Sequence, residues 1–396
     1  MLDPDRLLAP RVNRFNPSGI RRVLERARHM PDAINLSIGQ PDFPVPDTLK
    51  RAAIEAIEND HNGYSLSGGV ATLRNAIIAW LASDIGWDCG PASGSPRVLV
   101  TSGTSGALVT SFLATLGPGD EAIIADPYFV MYPVLSELCE AKSVFCDTYP
   151  DFRMTAGRVE PLITDRTRVV LLNSPSNPSG VTLTTQECRD LLELCRARGV
   201  LLISDEIYDG FTFTEGRTEP AAGDPSRLCC PSPCRAEGSH DDVLLIRGFG
   251  KTYGVTGWRL GFAAGPAWII DAMAKLQQFT FVCPPTPLQH GAAASFTTDI
   301  SAMVREYETR RDIFTRALDG LTHVARPDGA FYVFPEVPPA LGMSATAFAE
   351  RLVDDGVLVI PGSPFSRRDT HFRVSLAAPT DQLERAASLI ADAMRA

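Results

Sequence analysis

Five short apolar runs, each followed by an amphipathic or glycine-rich stretch, constrain this chain more than any other feature. RVLVT (Arg97 to Thr101), EAIIA (Glu121 to Ala125), RVVLL (Arg168 to Leu172), VLLIS (Val200 to Ser204) and VLLIR (Val243 to Arg247) are continuous rather than alternating. Strands buried on both faces read this way. Between them, SGTSGALVTSFLATLG predicts a helix ending near Gly117. A second helix starts at the cap Thr184 or Thr185, carries Cys188, Leu191, Leu192 and Cys195 on one face, and stops at Gly199. The alternation predicts an α/β fold with a mostly parallel sheet flanked by helices.

After about Pro287 the pattern changes. One long helix over about His290 to Leu321 is expected, then short strands in GAFYVFPE, VLVIPG and HFRVSLA, and a terminal helix. The expected division is a large domain over residues 46–287 and a smaller α+β domain over 288–396. The irregular residues 1–45 are expected to pack with the smaller one.

The chemistry-bearing residues collect after strand ends. Thr104, Phe129, Asn177, Asp205 and Lys251 each follow an apolar run, and open α/β sheets bind ligands outside the carboxyl ends of their strands. Lys251 lies among Gly248, Gly250, Gly254 and Gly257. A lysine dried by its surroundings loses its proton and attacks a carbonyl. A glycine-rich turn carrying a solvated lysine is the ordinary alternative. An aldehyde-bearing pyridine cofactor would also need a carboxylate to keep its ring nitrogen protonated. Asp205 suits that, though a helix cap or loop ion pair is equally ordinary for an aspartate there. Tyr208 and Asn177 could bond a ring oxygen, and Phe129 could stack on the ring or serve the core. SGTSG opens a helix, so the backbone N–H groups of Thr104 and Ser105 would face an anion, with Arg259 as a charged partner. Arg373 suits a bidentate grip on a carboxylate, or is a surface arginine.

Composition narrows the partners. The net charge is −10 without a strong basic cluster, which argues against nucleic acid. No apolar run is long enough to span a bilayer, and the first residues lack the apolar core of a secretory signal. Nine scattered cysteines predict reduced thiols in the cytoplasm. Cys229, Cys230, Cys234 and His240 do not follow a zinc spacing, and their Pro/Ser-rich stretch predicts an exposed loop and no metal.

With these residues in hand, the chain resembles the pyridoxal-phosphate aminotransferases of fold type I, class I/II, in their aspartate/aromatic-like branch. NPSG at Asn177 to Gly180, DEIY at Asp205 to Tyr208, GKTYGVTGWRLGF around Lys251, and YSLSGGVATLR from Tyr64 carry the resemblance in order. It implies transamination between an amino acid and a 2-oxo acid, pyridoxal 5′-phosphate as cofactor, and a homodimer with shared sites. Lys251 would be the Schiff-base lysine and proton carrier, Asp205 the partner of the ring nitrogen, and Tyr208 and Asn177 the donors to the ring oxygen. Thr104, Ser105, Arg259 and, from the other subunit, Tyr64 would hold phosphate. Arg373, assisted by Asn177 and the backbone near Gly39, would bind the substrate carboxylate. Side-chain recognition is expected from the loops at Asn16 to Ile20 and Phe279 to Pro285 and from the partner.

Two departures stand out. Many relatives carry S-x-S-K where this chain has Gly248-Phe249-Gly250-Lys251, which removes one phosphate contact. Some aspartate-specific relatives carry a lysine where Ser105 stands. A β-C–S lyase on the same scaffold is the main alternative. A cofactor-sensing regulator is a weaker one, because such regulators usually carry a DNA-binding domain ahead of this region and the chain is acidic.

Overall fold

The apolar runs become five strands of a seven-stranded sheet in the computed structural model, which describes residues 2–15, 30, 32–90 and 96–396. After β1 (Ile34–Asn35), the strands in chain order are β2 (Arg97–Thr101), β3 (Glu121–Asp126), β4 (Lys142–Asp147), β5 (Thr167–Asn173) and β6 (Leu201–Asp205). A hairpin of β7 (Glu219–Ala221) and β8 (Asp224–Cys229) follows, then β9 (Val243–Gly248) and β10 (Gly261–Gly265). The large sheet has the order β2-β10-β9-β6-β5-β3-β4. Only β10 runs against its neighbours, so the remaining strands end on one edge.

Both faces of the sheet are covered, which is why its strands read as continuous apolar runs. One face packs Leu99, Ile124, Leu171, Ile203 and Ile246 against Leu108, Phe112 and Met273 of the helices Gly103–Thr115 and Ala267–Thr280. The other packs Val100, Val170, Leu202 and Leu245 against Leu73, Ile77, Leu191 and Leu192 of Ala71–Trp80 and Thr185–Arg198. The helix Thr185–Arg198 starts and stops where its sequence directs. Thr184 and Glu187 form a reciprocal capping box, and Gly199 closes it at φ 63°.

A second core gathers the C-terminal part. Short strands β11 (Tyr332–Val333), β12 (Val357–Leu358), β13 (Ile360–Pro361) and β14 (Phe372–Ser375) pack with the helices Ser301–Ala317, Ala345–Asp354 and Thr380–Arg395. β14 lies between β11 and β13, while β1 pairs with β12 and brings the early segment onto this core. Tyr208, Phe211 and Phe213, just past β6, belong to the same cluster and join it to the large sheet.

Two expectations are corrected. The single helix over His290 to Leu321 is three pieces, Thr286–Ala293, a short turn Ala294–Thr297, and Ser301–Ala317. The Asp299 carboxylate accepts the Ser301 N–H at 2.8 Å, so the chain restarts a helix instead of continuing one. The helix Thr286–Ala293 also straddles residue 287, and Ala292 lies in the large-sheet core with Leu73 and Ile77. Packing therefore changes later in the chain than composition does.

The CCPSPC stretch is not an exposed loop. Cys229, Cys230 and Cys234 are buried because β7 and β8 fold back over Asp84, with Arg235 beneath. Burial pushes all three thiols up, away from the thiolate a metal needs. Among the described residues no group of three or more His, Cys, Asp or Glu side chains is placed to hold a metal ion. No helix among them is long and apolar enough to cross a membrane.

Candidate active site

The shared strand edge opens into a cavity of about 300 Å³ lined by Gly39, Thr104, Ser105, Phe129, Asn177, Asp205, Tyr208, Lys251, Arg259 and Arg373. Several strand ends contribute: Thr104 and Ser105 after β2, Phe129 after β3, Asn177 after β5, Asp205 at the last residue of β6 with Tyr208 beyond it, Lys251 after β9, and Arg259 just before β10. Arg373 comes from β14 and Gly39 from the segment after β1, so the second core supplies the far wall. Tyr64 is not in the cavity. It is 89% exposed on a segment held by three side chains: Thr286 donates to Gly63 O, Gln289 to Ser65, and Gln277 to Ser67 O. The loop Asn16 to Ile20 lies outside the described residues.

Lys251 and Asp205 are both displaced from their ordinary ionisation. Burial, with the charges of Arg373 and Arg259, pulls Lys251 down to about 8. Its Nζ donates to Gly39 O, and no carboxylate bonds it among the described residues. Asp205 is 2% exposed, and burial raises it to about 6 against the hydrogen bonds from Tyr132 and the Ile207 N–H. The Tyr132 hydroxyl donates to Asp205 Oδ2 at 2.8 Å, and the Ile207 N–H to Oδ1 at 3.3 Å. A buried carboxylate with only neutral donors suits a cationic ligand.

Asn177, Tyr208 and Arg373 form a chain of contacts. Asn177 Nδ2 donates to the Tyr208 hydroxyl at 3.4 Å, and its Oδ1 accepts from Arg373 Nη1 at 3.1 Å. Arg373 Nη2 donates to Ser37 O at 3.0 Å, while the guanidinium stacks between the rings of Tyr332 and Phe365. Its Nε is buried without a partner among the described residues, and burial pulls its pKa down. This is a cation fixed in place and short of an anion.

An anion cradle lies at the start of the helix Gly103–Thr115. Arg259 takes a left-handed backbone (φ 53°), and its Nη2 donates to Ser105 Oγ at 3.4 Å. A Cβ on Gly103 would come within 2.8 Å of that Nη2, and one on Gly261 within 2.8 Å of Thr104 N. Glycine at both positions lets the guanidinium lie over the helix's unpaired N–H groups. Gly248 gains a steric reason as well. A Cβ there would meet Ile207 Cδ1 at 2.7 Å and Thr104 Cγ2 at 2.9 Å, so this chain has filled the space that a serine would take.

Three further lining residues escaped the sequence reading. Tyr132 bonds Asp205. Asn173 donates to Asp205 O at 2.9 Å and accepts the Asn177 N–H at 2.9 Å, tying two loops together. Tyr332 touches the Tyr208 hydroxyl at 3.3 Å and covers Arg373. The FYV run in GAFYVFPE marks Tyr332 only as a strand residue, and a tyrosine in a helix marks Tyr132 only as core.

The cradle, the unsatisfied arginine and the cation-free carboxylate fit a phosphorylated, carbonyl-bearing heteroaromatic group near Lys251. A family model for aminotransferase class I and II matches residues 31–390. The chain belongs to the class I and II aminotransferases. An aspartate aminotransferase of Geobacillus stearothermophilus is 35% identical over 400 residues, covering 97% of this chain and 98% of the relative. An aromatic-amino-acid aminotransferase of Thermococcus litoralis is 31% identical, covering 96% of each. The solved aspartate aminotransferase from Thermus thermophilus with maleate superposes with a TM-score of 0.88 at 31% identity, covering 98% of this chain and 99% of that one. The function is that of a pyridoxal-phosphate-dependent aminotransferase.

Proposed function

We propose that this aminotransferase moves an amino group from an amino acid to a 2-oxo acid by a ping-pong route, with the cavity residues in the following roles. Bound pyridoxal phosphate supplies a carbonyl carbon and a ring that accepts the electron pair left when the substrate Cα–H bond breaks. Arg373 binds the α-carboxylate, and Asn177 fixes the guanidinium plane through its Oδ1. Lys251, pulled toward neutrality by burial, carries the Cα proton. Asp205 holds a proton on the ring nitrogen, while Tyr208 and Asn177 donate to the ring oxygen and Phe129 covers the ring face. Thr104, Ser105 and Arg259 receive the phosphate at the helix start. The observation that carries this reading is the convergence of Lys251, Asp205 and Arg373 on one cavity, with no acid–base pair among them.

The working unit is a homodimer in which Tyr64 of the partner subunit reaches the phosphate. Exposed Tyr64, Leu66, Phe279 and Val282, on two segments joined by the Gln277 bond to Ser67 O, support a protein partner. The acidic charge and reduced thiols support a cytoplasmic enzyme acting on small molecules. Ser105, in place of a lysine, argues against an enzyme dedicated to aspartate. A panel of amino donors with 2-oxoglutarate, oxaloacetate and pyruvate tests the activity, and the expected outcome is 2-oxo acid formed beyond one equivalent per site only when an acceptor is present. Pyruvate and ammonia released from cystathionine without an acceptor would replace this reading with a β-C–S lyase.

A further inference from the structure

Asp205 has a supporting residue that neither its sequence motif nor its strand position announces. Tyr132 sits in the first turn of the helix Met131–Leu138, and it is 3% exposed. Its ring packs edge-on against Phe129 at 5.6 Å, which fixes the direction of the hydroxyl. That hydroxyl donates to Asp205 Oδ2 at 2.8 Å, and among the described residues Oδ1 has only the long Ile207 N–H contact. The geometry points to Tyr132 as a positioning residue that holds the Asp205 carboxylate ionised and aims Oδ1 at the bound cofactor's ring nitrogen. This rests on the role of Asp205 proposed above.

The physical case is one of competing influences on a single carboxylate. Burial and the neighbouring charge of Glu206 favour the protonated form. Tyr208, from the segment after β6, is itself a neutral phenol whose pKa burial raises well above the ordinary value. Lys251 and Arg373 line the same cavity without bonding the carboxylate, and each already has oxygen acceptors elsewhere. The hydrogen bond from Tyr132 is therefore the main short-range contact that favours ionisation. Burial and the Asp205 charge push the Tyr132 phenol well above its ordinary range, so it stays a donor throughout the working pH range. A protonated Asp205 could not keep a proton on the ring nitrogen, and the electron-accepting power of the ring would fall.

The test is Tyr132→Phe, which removes one oxygen and keeps the ring that packs on Phe129. In the apoprotein with 13C-carboxyl-labelled aspartate, the Asp205 resonance is assigned by its loss in Asp205→Asn and titrated by NMR. The wild type is expected to titrate near 6. Losing a donor to the charged form raises that midpoint, by roughly one unit, a tenfold change in proton affinity. Because Asp205 then protonates at higher pH, the acid limb of kcat in the cofactor-loaded enzyme moves up in the same direction. A Y132F protein that melts earlier yet leaves the Asp205 midpoint unmoved would show Tyr132 to be merely structural and overturn the proposal. Near-normal turnover of Asp205→Ala would instead remove the role of Asp205 itself, whatever Y132F does.

Discussion

Asp205 and Glu206 are neighbours in the chain, yet their carboxylates lie in differently built surroundings. Asp205 faces the cavity with a phenol and a backbone N–H as its bonded donors among the described residues. Glu206 enters a buried charge network. Its Oε2 pairs with Arg247 Nη2 at 2.5 Å, and its Oε1 accepts from Ser204 and Ser232. Arg247 also pairs with Asp209 at 2.5 Å and lies over the ring of Trp80. Burial works to lower its pKa, but the charges of Asp209, Glu206 and Asp84 raise it above the ordinary value. Asp84 in turn pairs with Arg235 and Arg227. The difference teaches how to separate chemistry from architecture here. Where each buried charge has an opposite charge, the network fixes the β7–β8 hairpin to the strand end. Among the described residues Lys251, Asp205 and Arg373 lack one, which is the pattern expected of a site that takes a ligand.

That contrast can be broken in four ways. Lys251→Ala removes the nucleophile, so the visible absorbance of the covalently held cofactor should vanish and turnover should fall by at least about 10⁴-fold. A purified variant with a normal band would end the assignment. Asp205→Ala should keep some cofactor but lose about 10²–10³-fold in kcat, the scale for removing a preorganised electrostatic group. Arg373→Lys keeps the charge and loses the planar fork. We expect about 10–10²-fold in kcat/KM, mostly through KM, by steady-state kinetics over several donors, because one charged hydrogen bond is worth about 1.5–3 kcal/mol. The paired network should behave in the opposite manner. Arg247→Met strands Glu206 and Asp209, which should cost about 3–5 kcal/mol by denaturant unfolding of the apoprotein. Its kcat per cofactor-loaded molecule should stay close to that of the unmutated enzyme. A large loss of kcat without loss of stability would erase the distinction drawn between the two clusters.

Much of this was readable because buried parallel strands announce themselves and their carboxyl ends share an edge. Thr104, Phe129, Asn177, Asp205 and Lys251 could be gathered onto one rim from the apolar runs alone, and the cavity contains all five. Tyr132, Asn173 and Tyr332 were not readable, since their contacts cross from one strand end to another and no local spacing encodes them. The cysteine stretch misled for a related reason. Pro and Ser usually mark solvated loops, whereas here Ser232 bonds Glu206 at 2.5 Å and its N–H bonds Glu219 at 3.0 Å inside the protein.

The sequence by itself determined the sheet, the edge on which the candidate site residues gather, and which lysine stands there. Those follow from burial, which local residue types report directly. Only the tertiary structure decided which charges are paired and which are left open. Pairing depends on distances between segments far apart in the chain. Glu206 met an arginine on β9, while Asp205, one residue earlier, met the hydroxyl of Tyr132 and the Ile207 N–H.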